Sequence, residues 1–288
     1  MPSRTEEFAP AKINLFLHVG DKRADGYHAL ESLVVFVDAG DTLTFESADA
    51  LSLAIDGPFG EGLAAETDNL VLRAARALGE HAGIDKGAAI TLTKNLPVAS
   101  GIGGGSADAA AALRGLARLW GLDIGSDTMM KIAETLGSDV PVCVASRSAW
   151  MEGRGEIVTR AAGVPPAALV LVNPGIAVPT GPVFQALTTR RGVGPVAHEL
   201  RAGDSEVLAR LLRSMSNDLE APAKAIAPAV RDVLGELSRM PDILLARMSG
   251  SGATCFGLFE DETGAQMAAI ALEHSHPGWW VKATRVLG

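Results

Sequence analysis

The segment "PVASGIGGGSADAAA" (97–111) places four glycines within residues 101–105 and runs straight into alanines. Glycines let a ligand approach the backbone closely. An alanine-rich helix that follows aims its free N–H groups and the positive end of its dipole at an anion. Ser106, at the start of that helix, carries a hydroxyl that can bond a phosphate oxygen or ligate Mg2+. Two other nucleotide-binding patterns fit less well. A Walker loop closes on a Lys-Ser/Thr pair, and none is present. A dinucleotide fingerprint begun at Gly101 meets Ser106 at its third glycine position. No acidic residue ends a second strand about 20 residues on either, since Asp123 follows a helix. A plain turn with Ser106 as the helix cap accounts for this stretch equally well.

Other residues could carry chemistry. Asp139, in "LGSDVPVC", stands between a helix-stopping glycine and an apolar run with strand character. A charge in such a place needs a partner. A turn-capping aspartate and a proton acceptor both fit. Lys12, in "PAKINLFL", lies among apolar residues where a strand begins and reads by itself as a strand-edge cation reaching water. Tyr27, the only tyrosine, adjoins His28. On a strand they would face opposite ways, and on a loop both could meet a ligand; ordinary packing is the alternative. Cys143 and Cys255 sit in apolar strand-like runs without metal-ligand spacing, as buried reduced thiols do.

Periodicity outlines the elements that must hold these groups. "LTFES" (43–47) and "LSLAI" (51–55) alternate as strands and read as a hairpin. A helix follows with Thr67 or Asp68 as N-cap, Leu70, Val71, Ala74 and Leu78 on one face, and Gly83 as its stop. Residues 88–97 read as a strand ended by Pro97. After the glycines, Ala109, Leu113, Leu116, Ala117 and Trp120 recur at helical spacing. A further helix covers 126–136 and closes at Gly137, before an apolar strand over "DVPVCVAS". "AAGVPPA" (161–167) is a joint that divides the chain into domains 1–160 and 161–288. Beyond it the expected order is strand (169–172), helices (204–215, 228–239), strand (243–247), glycine turn, strand (254–259), helix (262–273) and strand (279–286), an α+β pattern.

Composition narrows the class. With 48% hydrophobic and 20% charged residues over 288 positions, the chain can build a substantial globular core. No apolar run approaches the ~18 residues of a membrane span. The N-terminal residues lack a signal peptide's basic and apolar regions, so a cytoplasmic location is expected. A net charge of −9 without a basic stripe disfavours nucleic acid as a partner.

Several of these segments also carry a resemblance. "PVASGIGGGSADAAA" is similar to the phosphate-binding signature of the GHMP kinases, which include galactokinase and homoserine, mevalonate and phosphomevalonate kinases. "PAKINLFLHV" (10–19) resembles their N-terminal motif, and "MSGSGATCFG" (248–257) their third, glycine-rich motif. With "DGYHALES", "LGSDVPVC" and "NPGIAVPT" added in order, nearly the whole chain resembles the branch that acts on a cytidine-diphosphate-linked methylerythritol. It departs in places. Ser100 stands where glycine is common, and "SAD" (106–108) where "SSN" is frequent. Ala107 thereby removes a hydroxyl. Asp108 is expected to face solvent, with Mg2+ held through water as the other reading.

The resemblance implies an α+β GHMP kinase fold of two domains, a ribosomal-protein-S5-domain-2-like N-terminal half and a ferredoxin-like C-terminal half. It implies ATP-dependent phosphorylation of the 2-hydroxyl of CDP-methylerythritol with Mg2+, on the pathway to isoprenoid precursors. By it, Asp139 accepts the proton of the hydroxyl and Lys12 pairs with Asp139 and the γ-phosphate. Pro97, Ser100, Gly101, Gly103, Gly104, Gly105 and Ser106 hold ATP, with Ser106 a possible metal ligand. Asn69 and Lys94 fall near adenine and phosphates, though helix capping and a solvated strand end explain them equally well. Tyr27 and Phe184 would cover the two faces of cytosine, His28 would read its edge, and Asn14 and Thr180 would contact the methylerythritol. Gly250 and Gly252 would bring the 249–254 loop against the first glycine loop. The implied partners are small molecules only, with no nucleic acid and no membrane, and the protein is expected to be a monomer or weak homodimer. Another GHMP kinase of mevalonate or homoserine type, a non-catalytic nucleotide sensor and a dinucleotide oxidoreductase are the competing functions.

Overall fold

The computed structural model describes residues 3–63, 68–194 and 203–288. The chain begins with two long strands, β1 (Arg4–Lys22) and β2 (His28–Ala48), then β3 (Leu51–Asp56), α1 (Leu70–Ala82) and β4 (Gly87–Thr93). Next come α2 (Gly104–Trp120), α3 (Ser126–Leu136), α4 (Val140–Ala145), β5 (Ala149–Gly153), β6 (Ile157–Arg160) and β7 (Ala168–Asn173). The remainder is α5 (Thr180–Gln185), α6 (Ser205–Arg213), α7 (Glu220–Ile226), α8 (Ala229–Leu237), β8 (Ile243–Met248), β9 (Cys255–Phe259), α9 (Glu262–Ser275) and β10 (Trp280–Arg285).

These elements gather into two compact units that are not consecutive halves. The first holds Met1–Ala11, Gly40–Val98 and Gly103–Ser146; the second holds Lys12–Ala39, Ala99–Ile102 and Arg147–Gly288. Residues 12–39 and 147–160 therefore belong with the C-terminal elements, unlike in the division expected at 160/161. The strands β1 and β2 contribute a segment to each unit, which no joint in the sequence announces.

In the first unit, β4 lies between β3 and β2. It pairs parallel with β3 (Leu51 opposite Ala88) and antiparallel with β2 (Thr42 opposite Thr93). The expected 43–47/51–55 hairpin is thus replaced by a β3–α1–β4 crossover, because parallel strands need a connecting helix. Helix α1 starts at Asn69, whose Oδ1 accepts from the Val71 N–H at 2.9 Å, and ends at the left-handed Gly83. The cap is therefore not Asp68, and Thr67 lies outside the described residues. Alanines 107 and 109–112 are buried on α2, which packs on α1 and α4. At Gly115 a β-carbon would stand 2.3 Å from the Phe45 ring, so only glycine lets α2 lie this close to β2.

Residues 140–145 form helix α4 rather than the expected strand. Valines favour strands, but Val140, Pro141, Val142 and Cys143 are all buried here, and packing overrides a weak propensity. Pro141 sits in the first turn, where its missing N–H costs nothing. Cys143 is thus a helical buried thiol, and Cys255 lies in β9 as expected. Arg114 of α2 fixes the far end of α4. Its guanidinium donates to the carbonyls of Cys143 and Val144 at 3.0 and 3.1 Å, to Glu7 at 3.0 Å and to the Phe8 carbonyl at 3.1 Å.

In the second unit, β2 pairs with β5 (Val34 opposite Ala149) and β5 with β6, all antiparallel. A separate antiparallel sheet runs β10-β7-β9-β8. Its strand, helix, strand, strand, helix, strand order matches the ferredoxin-like expectation for the C-terminal half. Val170, Val172, Val233, Leu237, Phe259 and Leu272 close its core. No helix among the described residues is long and apolar enough to cross a membrane.

Candidate active site

The helix predicted after the glycine run begins at Gly104. Its N-cap, Gly103, has a left-handed backbone (φ 64°) and no side chain to cap the turn. The first intrahelical bond is that of Ala107 N–H to Gly103 O at 2.8 Å, so the amides before it are free of the helix ladder. Ser106 is the third helical residue, not the cap. A β-carbon on Gly104 would stand 3.1 Å from Lys94 Nζ, and one on Gly105 3.7 Å from Leu70 Cδ1. The start of α1, where Asn69 is buried as a helix cap, therefore adjoins the start of α2.

Lys94 is no solvated strand end, and Asp108 does not face solvent: they are 2% and 3% exposed. Lys94 Nζ donates to Asp41 Oδ2 at 2.5 Å and to Asp108 Oδ2 at 2.7 Å. Burial works to lower the lysine's pKa, but Asp108 and Asp41 outweigh it and hold it above the ordinary value. Burial, helped by the charge of Asp41, pushes Asp108 up to about 7 against the pull of Lys94. Local sequence hid this cluster because Asp41 is 53 residues from Lys94.

In the second unit three motifs meet at one hydroxyl. Ser249 Oγ donates to the Gly101 carbonyl at 3.0 Å and accepts from the Asn14 N–H at 3.1 Å. The Thr254 N–H donates to the Ser100 carbonyl at 3.0 Å, and the Lys12 N–H to the Ile102 carbonyl at 2.9 Å. Residues 100–102 are thereby held between β1 and the 249–254 loop. The sequence reading put this loop against the glycine run through Gly250 and Gly252 but passed over Ser249. Asn14 is 1% exposed; its Nδ2 donates to Ser32 Oγ at 2.8 Å, while its Oδ1 accepts no hydrogen bond among the described residues.

Lys12 is buried within β1, not a strand-edge cation reaching water. Asp139 is half-buried and immediately precedes α4 as its N-cap residue, yet its side chain makes no capping bond. The turn-capping role expected for it is therefore unfilled. Lys12 belongs to the second unit and Asp139 to the first. Pro97 is buried in the turn between β4 and α2.

Tyr27 lies on the turn after β1 and is 53% exposed, with the Arg154 guanidinium 5.4 Å above its ring. His28 opens β2, its Nδ1 3.1 Å from the Gly20 carbonyl oxygen. Its ring stacks on Phe184 of α5, with centroids 5.8 Å apart and planes at 19°. Thr180, at the start of α5, is 3.0 Å from Ser251 Oγ of the third motif. The structure thus brings His28 and Phe184 together and ties Thr180 to the glycine loop. Arg154 had no local signal.

Residues 69–147 match the GHMP kinases N terminal domain and residues 196–275 the GHMP kinases C terminal domain. The chain is 55% identical to a 4-diphosphocytidyl-2-C-methyl-D-erythritol kinase of Cereibacter sphaeroides, covering 99% of this chain and 100% of that one. The chain belongs to the GHMP kinase family. It is therefore a kinase that uses ATP. A protein of the same name from Paramagnetospirillum magneticum is 51% identical over 97% of each chain. A crystal structure of 4-(cytidine 5'-diphospho)-2C-methyl-D-erythritol kinase is 34% identical and superposes with a TM-score of 0.79 over 99% of this chain and 100% of that one. Within this GHMP kinase the N-terminal match spans α1 to α4, including the uncapped start of α2 and Asp139. Lys12 precedes both matched ranges.

Proposed function

We propose that the chain transfers the γ-phosphoryl group of ATP to the 2-hydroxyl of 4-(cytidine 5'-diphospho)-2-C-methyl-D-erythritol, giving the 2-phosphate and ADP in isoprenoid precursor synthesis. The observation that carries this reading is the full-length identity to kinases of that name.

Phosphoryl transfer needs positioned phosphates, neutralised charge and an oriented nucleophile. The free amides at the start of α2 face the first need. We assign Pro97, Ser100, Gly101, Gly103, Gly104, Gly105 and Ser106 to the ATP phosphates, with Asn69 and Lys94 on the same side. Asp139 accepts the proton of the 2-hydroxyl as the P–O bond forms. Lys12 steadies the negative charge of the transferring group. Among the described residues no three His, Cys, Asp or Glu side chains cluster as a metal cage. Mg2+ keeps several waters and binds largely through substrate phosphates, and Ser106 would supply it a hydroxyl oxygen. Bound there, the ion would neutralise phosphate charge.

On the acceptor side, Tyr27 and Phe184 offer aromatic faces for cytosine, as stacking platforms do for bases. His28 reads the base edge. The unfilled Oδ1 of Asn14 suits a donated hydroxyl, and Thr180 lies beside the third motif. The reading has the enzyme act in the cytoplasm as a monomer or weak homodimer, on small molecules alone. Offering the purified protein ATP with CDP-methylerythritol, mevalonate and homoserine in parallel tests the acceptor. Turnover confined to the first is expected, and turnover with either of the others instead overturns the assignment.

A further inference from the structure

The chemistry above does not explain why three ionisable side chains are buried together at the root of α2. Lys94 Nζ is shared by Asp41 Oδ2 and Asp108 Oδ2. Asp41 Oδ1 also accepts from the N–H groups of Asn95 and Leu96, at 2.6 and 2.9 Å. Asp41 thus shapes the turn that leaves β4, and Asp108, in the second turn of α2, ties the same ammonium to the helix. Such a cluster is a poor way to gain stability, because desolvating charges offsets their attraction and apolar side chains often do better. Asp108 adds to that cost, since its buried Oδ1 accepts no hydrogen bond among the described residues. What the cluster does deliver is position. It holds the ammonium 3.1 Å from where a Gly104 β-carbon would be, against the first turn of α2.

We propose that Asp108 and Asp41 are positioning residues for ATP, clamping Lys94 under the first turn of α2 so that its free amides keep a fixed place relative to the end of β4. The proposal rests on the assignment of residues 101–106 to the ATP phosphates. It predicts an effect on nucleotide alone, since neither carboxylate is assigned to the acceptor. The charge count also predicts a folded variant: Asp108→Ala leaves Lys94 and Asp41 as a balanced pair.

The test is calorimetric ADP binding to the whole protein, with steady-state KM values for both substrates. Losing one charge-assisted bond, Asp108→Ala should weaken ADP and raise the ATP KM about tenfold, whereas Asp108→Asn, which keeps an acceptor for Lys94, should stay within about twofold of wild type. The acceptor KM should not move in either. Asp41→Asn, which turns an amide toward the ammonium, should loosen ADP in the same direction and serves if Asp108→Ala does not fold. Unchanged or tighter ADP binding in Asp108→Ala or Asp41→Asn overturns the clamp while leaving the phosphate-loop assignment intact. Wild-type protein that binds no ADP overturns both.

Discussion

Gly101 and Gly250 meet backbone to backbone: a β-carbon on Gly250 would stand 2.6 Å from the Gly101 carbonyl oxygen, and one on Gly101 2.5 Å from that of Ser249. Both have left-handed backbones, φ 75° and 55° respectively. Gly250→Ala should therefore strain its own backbone by about 1–2 kcal/mol and push residues 100–102 away. Each kcal/mol should lower Tm by about 2–4 °C in a chain of this size, with kcat/KM for ATP falling as well. Thermal unfolding and kinetics at the wild-type level would contradict the close approach.

Asp139→Asn and Lys12→Ala test the proton acceptor and its cation. General-base positions contribute about 10²–10⁴-fold, so kcat should fall by at least the lower figure with circular dichroism unchanged. Turnover within a few-fold of wild type in a folded variant would remove the pair from the mechanism.

These residues show what the sequence alone could and could not carry. Ordered motifs singled out Lys12, Asp139 and the glycine run as candidates, because chemistry and tight turns leave local marks: glycines at close approach, a charge among apolar residues. The helices and strands of the C-terminal sheet were legible from periodicity for a similar reason. What failed depends on distant partners. Strand β4 inserts between β2 and β3 from more than 30 residues away. The valines of α4 look like a strand until packing on α2 makes them helical. Asp108 reads as a solvated helix residue until Lys94 and Asp41 fold under it. Ser249 was missed because a serine between glycines carries no signal until Asn14 and Gly101 arrive on either side.

Phe184 carries a prediction about the acceptor alone. Base stacking is worth about 1–3 kcal/mol, so Phe184→Ala should raise the KM for CDP-methylerythritol by roughly tenfold. The ATP KM should stay level. Steady-state titration of each substrate checks this, and a rise confined to ATP would place the base elsewhere.

His18 sets a pH dependence of stability. The Ser216 N–H donates to its Nε2 at 3.3 Å, which requires a neutral acceptor nitrogen. Burial lowers its pKa below 6.5, with Asp218 opposing and Arg191 and Arg247 adding to the fall. Glu31 also lies nearby, 3.9 Å from Nδ1. Below that pH the unfolded chain binds a proton that the folded chain refuses, so this contribution is present above 6.5 and lost as pH falls. Between pH of about 7.5 and 5.5, Tm should drop less steeply in His18→Gln than in wild type. Parallel slopes would show that His18 does not titrate this way.

The central claim is that the chain transfers a phosphoryl group from ATP to CDP-methylerythritol. The most direct measurement is ADP release by purified protein with ATP and Mg2+, in the presence and absence of that acceptor. The account predicts strong stimulation by the acceptor, with one new phosphate on its 2-hydroxyl. Release that the acceptor leaves unchanged would contradict it.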